Sequence, residues 1–216
     1  MASVSVESAG GVRTGALLVA CVADHGSATH PYYTSPALSN GANLADAIHF
    51  LCALHGRHPG VVDLAATRIV DPAGRAWLAS AAEGAAAERG LLTRLAVAAG
   101  PIPSTPGGGG SEGAIQAQRA ALATLAQSDR KGCALGAALA LAADWVAVRT
   151  VIEAAAKRLG LEVPAAGLGD EARLRAVADE AAQVERALLF GAQQLALQHR
   201  ALWDLLEARQ QARRDY

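Results

Sequence analysis

Residues 170–209, DEARLRAVADEAAQVERALLFGAQQLALQHRALWDLLEAR, carry the pattern that decides the fold. Ala181, Leu188, Ala192, Leu195, Leu202 and Leu206 recur at spacings of three, four or seven, which places them on one stripe of an α-helix. Such a stripe is stable only against another element. The segment therefore predicts a long helix packed in a bundle, about 60 Å long if unbroken at ~1.5 Å per residue. Gly191 marks the place where a kink is expected.

The same reading extends upstream. Cys133 to Val148 is apolar nearly all round and predicts a central helix that continues to Gly160. Asp71-Pro72 pairs a cap with a first-turn proline, and the helix it opens runs to Ala99, closed by Gly100-Pro101. Gly100 to Gly113 is a Gly/Pro-rich connector with Pro101, Pro103, Pro106 and four successive glycines. Ser111 and Glu112 open the next helix, with a weak point at Ser128, Asp129 and Gly132. Asn43 is a good N-cap for a helix to about Gly56, and Pro59 starts a shorter one ending near Val70. Residues 1–14 read as a flexible tail, 15–24 as a short buried helix and 25–42 as an ordered loop. The expectation is an all-α chain with one domain over 15–216, an antiparallel bundle of about six or seven helices, four of them long.

Composition agrees. Apolar residues make up 52% of the 216 residues and aromatics only 4%, with alanine, the best helix former, prominent throughout. Net charge is −1, from 19 basic and 20 acidic residues, which leaves no basic excess for a nucleic-acid backbone. Arg209, Arg213 and Arg214 alternate with Glu207 and Asp215 and read as a solvated helix end. Cys21, Cys52 and Cys133 are widely spaced among apolar residues, the usage of a reducing, cytoplasmic compartment rather than of a disulfide framework. Leu18-Val19-Ala20-Cys21 has the look of a bacterial lipoprotein box, but the apolar run before it is too short, so a lipid anchor at Cys21 is the weaker alternative. No uninterrupted apolar run reaches the ~20 residues that span a bilayer.

Several polar residues stand where leucine would pack without cost. Glu185 and His199 fall on the final stripe; Glu88 falls on the stripe of Trp77, Ala81, Gly84, Leu91 and Leu95. Asp144 interrupts the central helix, with Arg149, Arg94 or Arg119 as its plainest partners. Asp46 and His49 lie three apart and can meet on one face. Taken singly, each reads more readily as a structural hydrogen-bonding group than as a ligand, because a buried charge has to be paired.

Carboxylates and imidazoles on several helices of one bundle resemble, at the level of architecture, the ferritin-like fold over about Asn43 to Arg209. That resemblance implies an iron, manganese or zinc site built from two Glu and two Glu-x-x-His pairs. The sequence departs from it: Asp46-x-x-His49 is a short-armed copy of one such pair, Glu185 meets Leu188 at the matching distance, and Glu88 meets Leu91. The style of the chain resembles uncharacterised bacterial families.

Two further clusters lie outside the stripes. His55, Arg57 and His58 stand together at a helix end and suit either an anion or metal, or simply the helix dipole and a turn. His25 and His30 flank the loop with Pro31, Tyr32 and Tyr33, which suits a cover over one end of the bundle. No G-x-S-x-G, P-loop or Cys-His arrangement occurs. The expected function is a non-catalytic binding or interaction protein, a homodimer on the evidence of its alanine-rich helix surfaces. The alternative is a metal-dependent or small-molecule-processing enzyme combining Asp46, His49, Glu88, Asp144, Glu185 and His199.

Overall fold

The computed structural model describes residues 13–69, 71–168 and 170–215. Among them every regular element is helical: α1 (Thr14–His25), α2 (Gly41–His55), α3 (Val61–Ala66), α4 (Pro72–Ala99), α5 (Gly108–Ala126), α6 (Cys133–Leu159), α7 (Glu171–Glu180) and α8 (Glu185–Arg214). Short 3-10 turns occupy Ser27–Thr29, Pro36–Ser39 and Ala182–Val184.

The caps follow local chemistry. The Asp71 carboxylate accepts from Gly74 N–H with Pro72 in the first turn, as the sequence predicts. Asn40, not Asn43, caps α2, by accepting from Ala42 N–H. Asn43 is buried inside the first turn, where its amide donates to Ala37 O and accepts from Arg213. The start of α5 moves up to Gly108, inside the expected connector.

The predicted last helix is two. α7 ends at Glu180, a 3-10 turn intervenes, and α8 begins at Glu185. Gly191 sits inside α8 where that helix meets α6. A Cβ at Gly191 would overlap the Cys133 carbonyl, and one at Gly136 would overlap the Leu188 carbonyl. The two backbones touch because both positions lack a side chain. Gly136 lies beside Leu188 and Asp144 beside His199, so α6 and α8 run in the same direction. Segment 160–168 and α7 carry the chain back between them, which departs from a purely antiparallel bundle. α2 runs against α8, with Asp46 near Arg209 and His55 near His199.

α6 is the core. Nearly every residue from Cys133 to Ala142 is under 5% exposed. It is the one helix among the described residues that is long and apolar enough to cross a membrane, at 27 residues, and 78% of its most apolar window is buried by its neighbours. Asp144 and Arg149 keep its uninterrupted apolar run short.

Most of the predicted tail, residues 1–12, lies outside the described residues. Thr14 does not belong to a tail: it is buried, begins α1 and donates to Glu185 Oε2 at 2.6 Å. Cys21 stands in the middle of α1, beyond the fully buried Leu18. A mature chain beginning at Cys21 would lose both the Thr14 and Leu18 contacts.

Candidate functional site

The six polar stripe residues do not converge. Asp46, 1% exposed, accepts from Arg209 Nε and Nη2, both at 2.9 Å, and from Arg213. Arg209 and Arg213 also reach Thr105 Oγ1, and Arg209 reaches Pro103 O. These two arginines, read from the sequence as a solvated end, instead lock α2, α8 and the Pro-rich connector together. His49 is half-buried and turns away from Asp46, with Nε2 2.8 Å from Gly100 O. Glu88 is buried and pairs through Oε1 with Arg149, which also engages Glu153 and Pro164 O. Glu185 is half-buried at the start of α8, on Thr14. Among the described residues no group of three or more His, Cys, Asp or Glu is arranged to hold a metal ion.

Asp144 and His199 do meet. His199 Nδ1 lies 2.5 Å from Asp144 Oδ2, and both side chains are essentially fully buried. Arg149, one of the three arginines expected beside Asp144 with Arg94 and Arg119, is taken by Glu88. Ser27 supplies the rest: its N–H donates to Oδ1 at 2.8 Å and its hydroxyl to Oδ2 at 2.5 Å. Burial pushes the Asp144 carboxyl up, but the His199 and Ser27 hydrogen bonds and the His199 charge outweigh it, leaving the group below the usual carboxylate range.

The third member is His55. Its Nε2 lies 3.0 Å from His199 Nε2, and its ring meets Trp145 edge to face at 5.3 Å. Burial first, and the His199 charge second, hold His55 well below the ordinary imidazole range. Hydrogen-bond polarity follows. An ionised carboxylate only accepts, so His199 Nδ1 carries the hydrogen toward Asp144. With both rings neutral, His199 Nε2 is a lone pair, so His55 Nε2 donates and His55 Nδ1 accepts. One more proton on His199 reverses that polarity and turns His55 Nδ1 into a donor.

The relay ends on a cavity. His55 lines it with Glu88 and Arg89 from α4 and Trp145 from α6, and Gly60 and Leu168 stand half-buried at its mouth. It has room for little more than about one water. Glu88 Oε2 and Trp145 Nε1 are buried and have no hydrogen-bond partner among the described residues. The Asp63 carboxylate beside the mouth binds Arg89 and His58 and accepts from Gly60 N–H.

The loop histidines part company. His30 is buried, with Nε2 2.9 Å from Asp204, whereas His25 is only half-buried at the end of α1. The loop packs along α6 and α8: Ser27 holds Asp144, and the Tyr33 hydroxyl reaches Ala147 O and Thr150 Oγ1. Arg57 and His58 are exposed, so the His55–His58 cluster splits between core and surface.

Residues 22–214 match a family of unknown function. The chain belongs to that family, DUF6975. No curated protein and no solved structure matches it. The matched span contains the whole relay, Ser27 included.

Proposed function

We propose that the chain is a non-catalytic binding protein for a small molecule, with its site at the cavity where the Asp144–His199–His55 relay ends. The observation that carries this reading is the buried Asp144–His199–His55 relay, whose last member lines a cavity together with Glu88, Arg89 and Trp145. Ligand pockets combine an apolar wall with a few convergent polar groups, and this cavity has both. The general architecture is read as ferritin-like on its four long helices, α4, α5, α6 and α8, and on the crossover that sets α6 and α8 parallel. The di-metal ligands of that class lack a geometric basis here, since Asp46 and Glu88 are each taken by arginine.

Thermal-shift measurement separates the readings. Under the binding reading, a small-molecule library contains compounds that raise the melting temperature of the wild type and not of His55→Gln. Stabilisation by iron, manganese or zinc alone, lost in His199→Ala, would replace it with the metal-enzyme reading. One observation favours the small-molecule-processing alternative: His199 and Asp144 stand behind His55 as a general base requires. A ligand recovered unchanged after long incubation keeps the binding reading; a His55-dependent product converts it to the enzyme. The homodimer rests on exposed Val146 and Phe190, 60% and 44% accessible, and sedimentation showing only monomer at micromolar concentration removes it.

A further inference from the structure

Resting on that binding reading, we propose that segment 161–168 is a strap that gates the cavity: it closes over His55 and lifts to admit the ligand. The segment joins α6 to α7 without regular structure. Leu168, at its end, forms part of the mouth. With the strap down the cavity holds little more than about one water. An organic ligand does not fit that space, so binding at His55 requires one wall to move. The strap is the wall with the least holding it. Glu162 and residues 164–167 are exposed, and among the described residues between 162 and 168 only Pro164 O is hydrogen-bonded, to Arg149. Leu161, Val163 and Leu168 pack against the core without being fully buried. The other side of the mouth is pinned: Gly60 N–H donates to Asp63, and Asp63 holds Arg89 at 2.9 Å with both side chains mostly buried. Segments with few buried contacts and few backbone hydrogen bonds are the ones that open locally.

The strap is tied to the cavity wall itself. Arg149 from α6 donates to Pro164 O and also pairs with Glu88, which lines the cavity. One guanidinium thus holds both wall and strap. Gly84 stands on α4 just before the lining residue Ala85, and its backbone touches Gly167. A Cβ on Gly84 would overlap the Gly167 carbonyl, so the missing side chain is what lets the strap come down there. Gly160, with φ +66° and open space around it, ends α6 and supplies a hinge for the strap. Lifting the strap breaks the bond to Pro164 and leaves α4 and α6 joined through Glu88 and Arg149.

The experiment measures how fast diethyl pyrocarbonate acylates His55 in the full chain, by tandem mass spectrometry of its proteolytic peptides. His58, 70% exposed, gives the unhindered rate, and His199, buried behind His55, reports any opening of the helices. The reagent is larger than the closed cavity, so His55 reacts only through a lifted strap, at a rate set by the open fraction. In the wild type His55 is expected to react at least about a hundredfold more slowly than His58. Gly84→Ala wedges the strap: alanine suits α4 better than glycine, so the helix is kept and the strap gives way. His55 should then react about tenfold faster, with His199 as protected as before. Arg149→Lys keeps a cation for Glu88, but one ammonium cannot hold Pro164 O as well, and a rise of similar size is expected. That variant decides by the same readout if Gly84→Ala loses its helical circular-dichroism spectrum. A wild-type His55 that reacts as fast as His58 overturns the gate. So does an unchanged rate in the folded wedge variant, or a parallel rise of His55 and His199. The binding reading fails separately, when no library compound raises the melting temperature of either the wild type or Gly84→Ala.

Discussion

Lowering the pH below 6.5 should cost this protein stability through one residue, His55. The ring is buried, and burial together with the His199 charge keeps it from taking a proton in the folded state until well below the ordinary range. The unfolded chain takes that proton near pH 6.5. Between the two values the unfolded state holds one more proton than the folded state, so stability falls as pH falls. The contribution is fully present above the unfolded value and is lost at about 1.4 kcal/mol per pH unit below it. From pH 7.5 to pH 5.5 one histidine accounts for roughly 1.4 kcal/mol, since the upper half of that interval lies above the unfolded value. Asp144 adds nothing in this window, because its folded value lies below an ordinary 3.8.

The assay is urea unfolding at pH 7.5 and 5.5 for the wild type and His55→Gln. Glutamine does not titrate, and its amide still donates toward His199. The wild type should lose about 1.4 kcal/mol more than the variant over the interval. Parallel losses would refute the reasoning, since they would mean that His55 takes its proton as readily folded as unfolded.

Other perturbations test the remaining networks. Asp46→Ala leaves the Arg209 guanidinium, 4% exposed, without its carboxylate and should cost about 3 kcal/mol in urea unfolding. Gly136→Ala and Gly191→Ala press a methyl group into the facing backbone and should each cost about 3 kcal/mol or prevent folding, read from the yield of soluble helical protein. Gly90→Ala has open space at the same helical geometry and should raise stability by about 0.5–1 kcal/mol, read from the unfolding midpoint.

The helices were legible because burial imposes a period. The stripe from Leu188 to Leu206 and the all-round apolar run from Cys133 identify their elements without help from the rest of the chain. The break at 181–184 was not legible. Ala182, Gln183 and Val184 contain neither glycine nor proline, and the stripe passes through them unbroken in sequence. The interruption is tertiary: α8 has to start where its Gly191 meets Cys133, while α7 packs along α1, with the Gly15 N–H donating to Asp179. The parallel course of α6 and α8 is set by two contacts, Gly136 beside Leu188 and Asp144 beside His199, and helix direction leaves no mark on composition.

The site was half legible, for a reason that concerns hydrogen-bond partners. Asp144 and His199 stood out as polar residues on apolar faces, and they are the two that meet. His55 stood out only with Arg57 and His58, as a helix-end cluster rather than as a partner of His199, because a histidine in the last turn of a helix already has an explanation in the dipole. One feature of α2 distinguishes it: Leu44, Ile48 and Leu51 put His55 on the buried stripe, whereas His58 follows the helix end. Ser27 could not have been found, since a loop serine carries no period. It is nevertheless Ser27 that fixes the relay. Its N–H holds Oδ1 and its hydroxyl shares Oδ2 with His199, so the two bonds help keep the carboxylate ionised and the His199 Nδ1–H turned toward it. The His199 ring that meets His55 is thus oriented from a loop residue, through Asp144, two imidazoles away from the cavity.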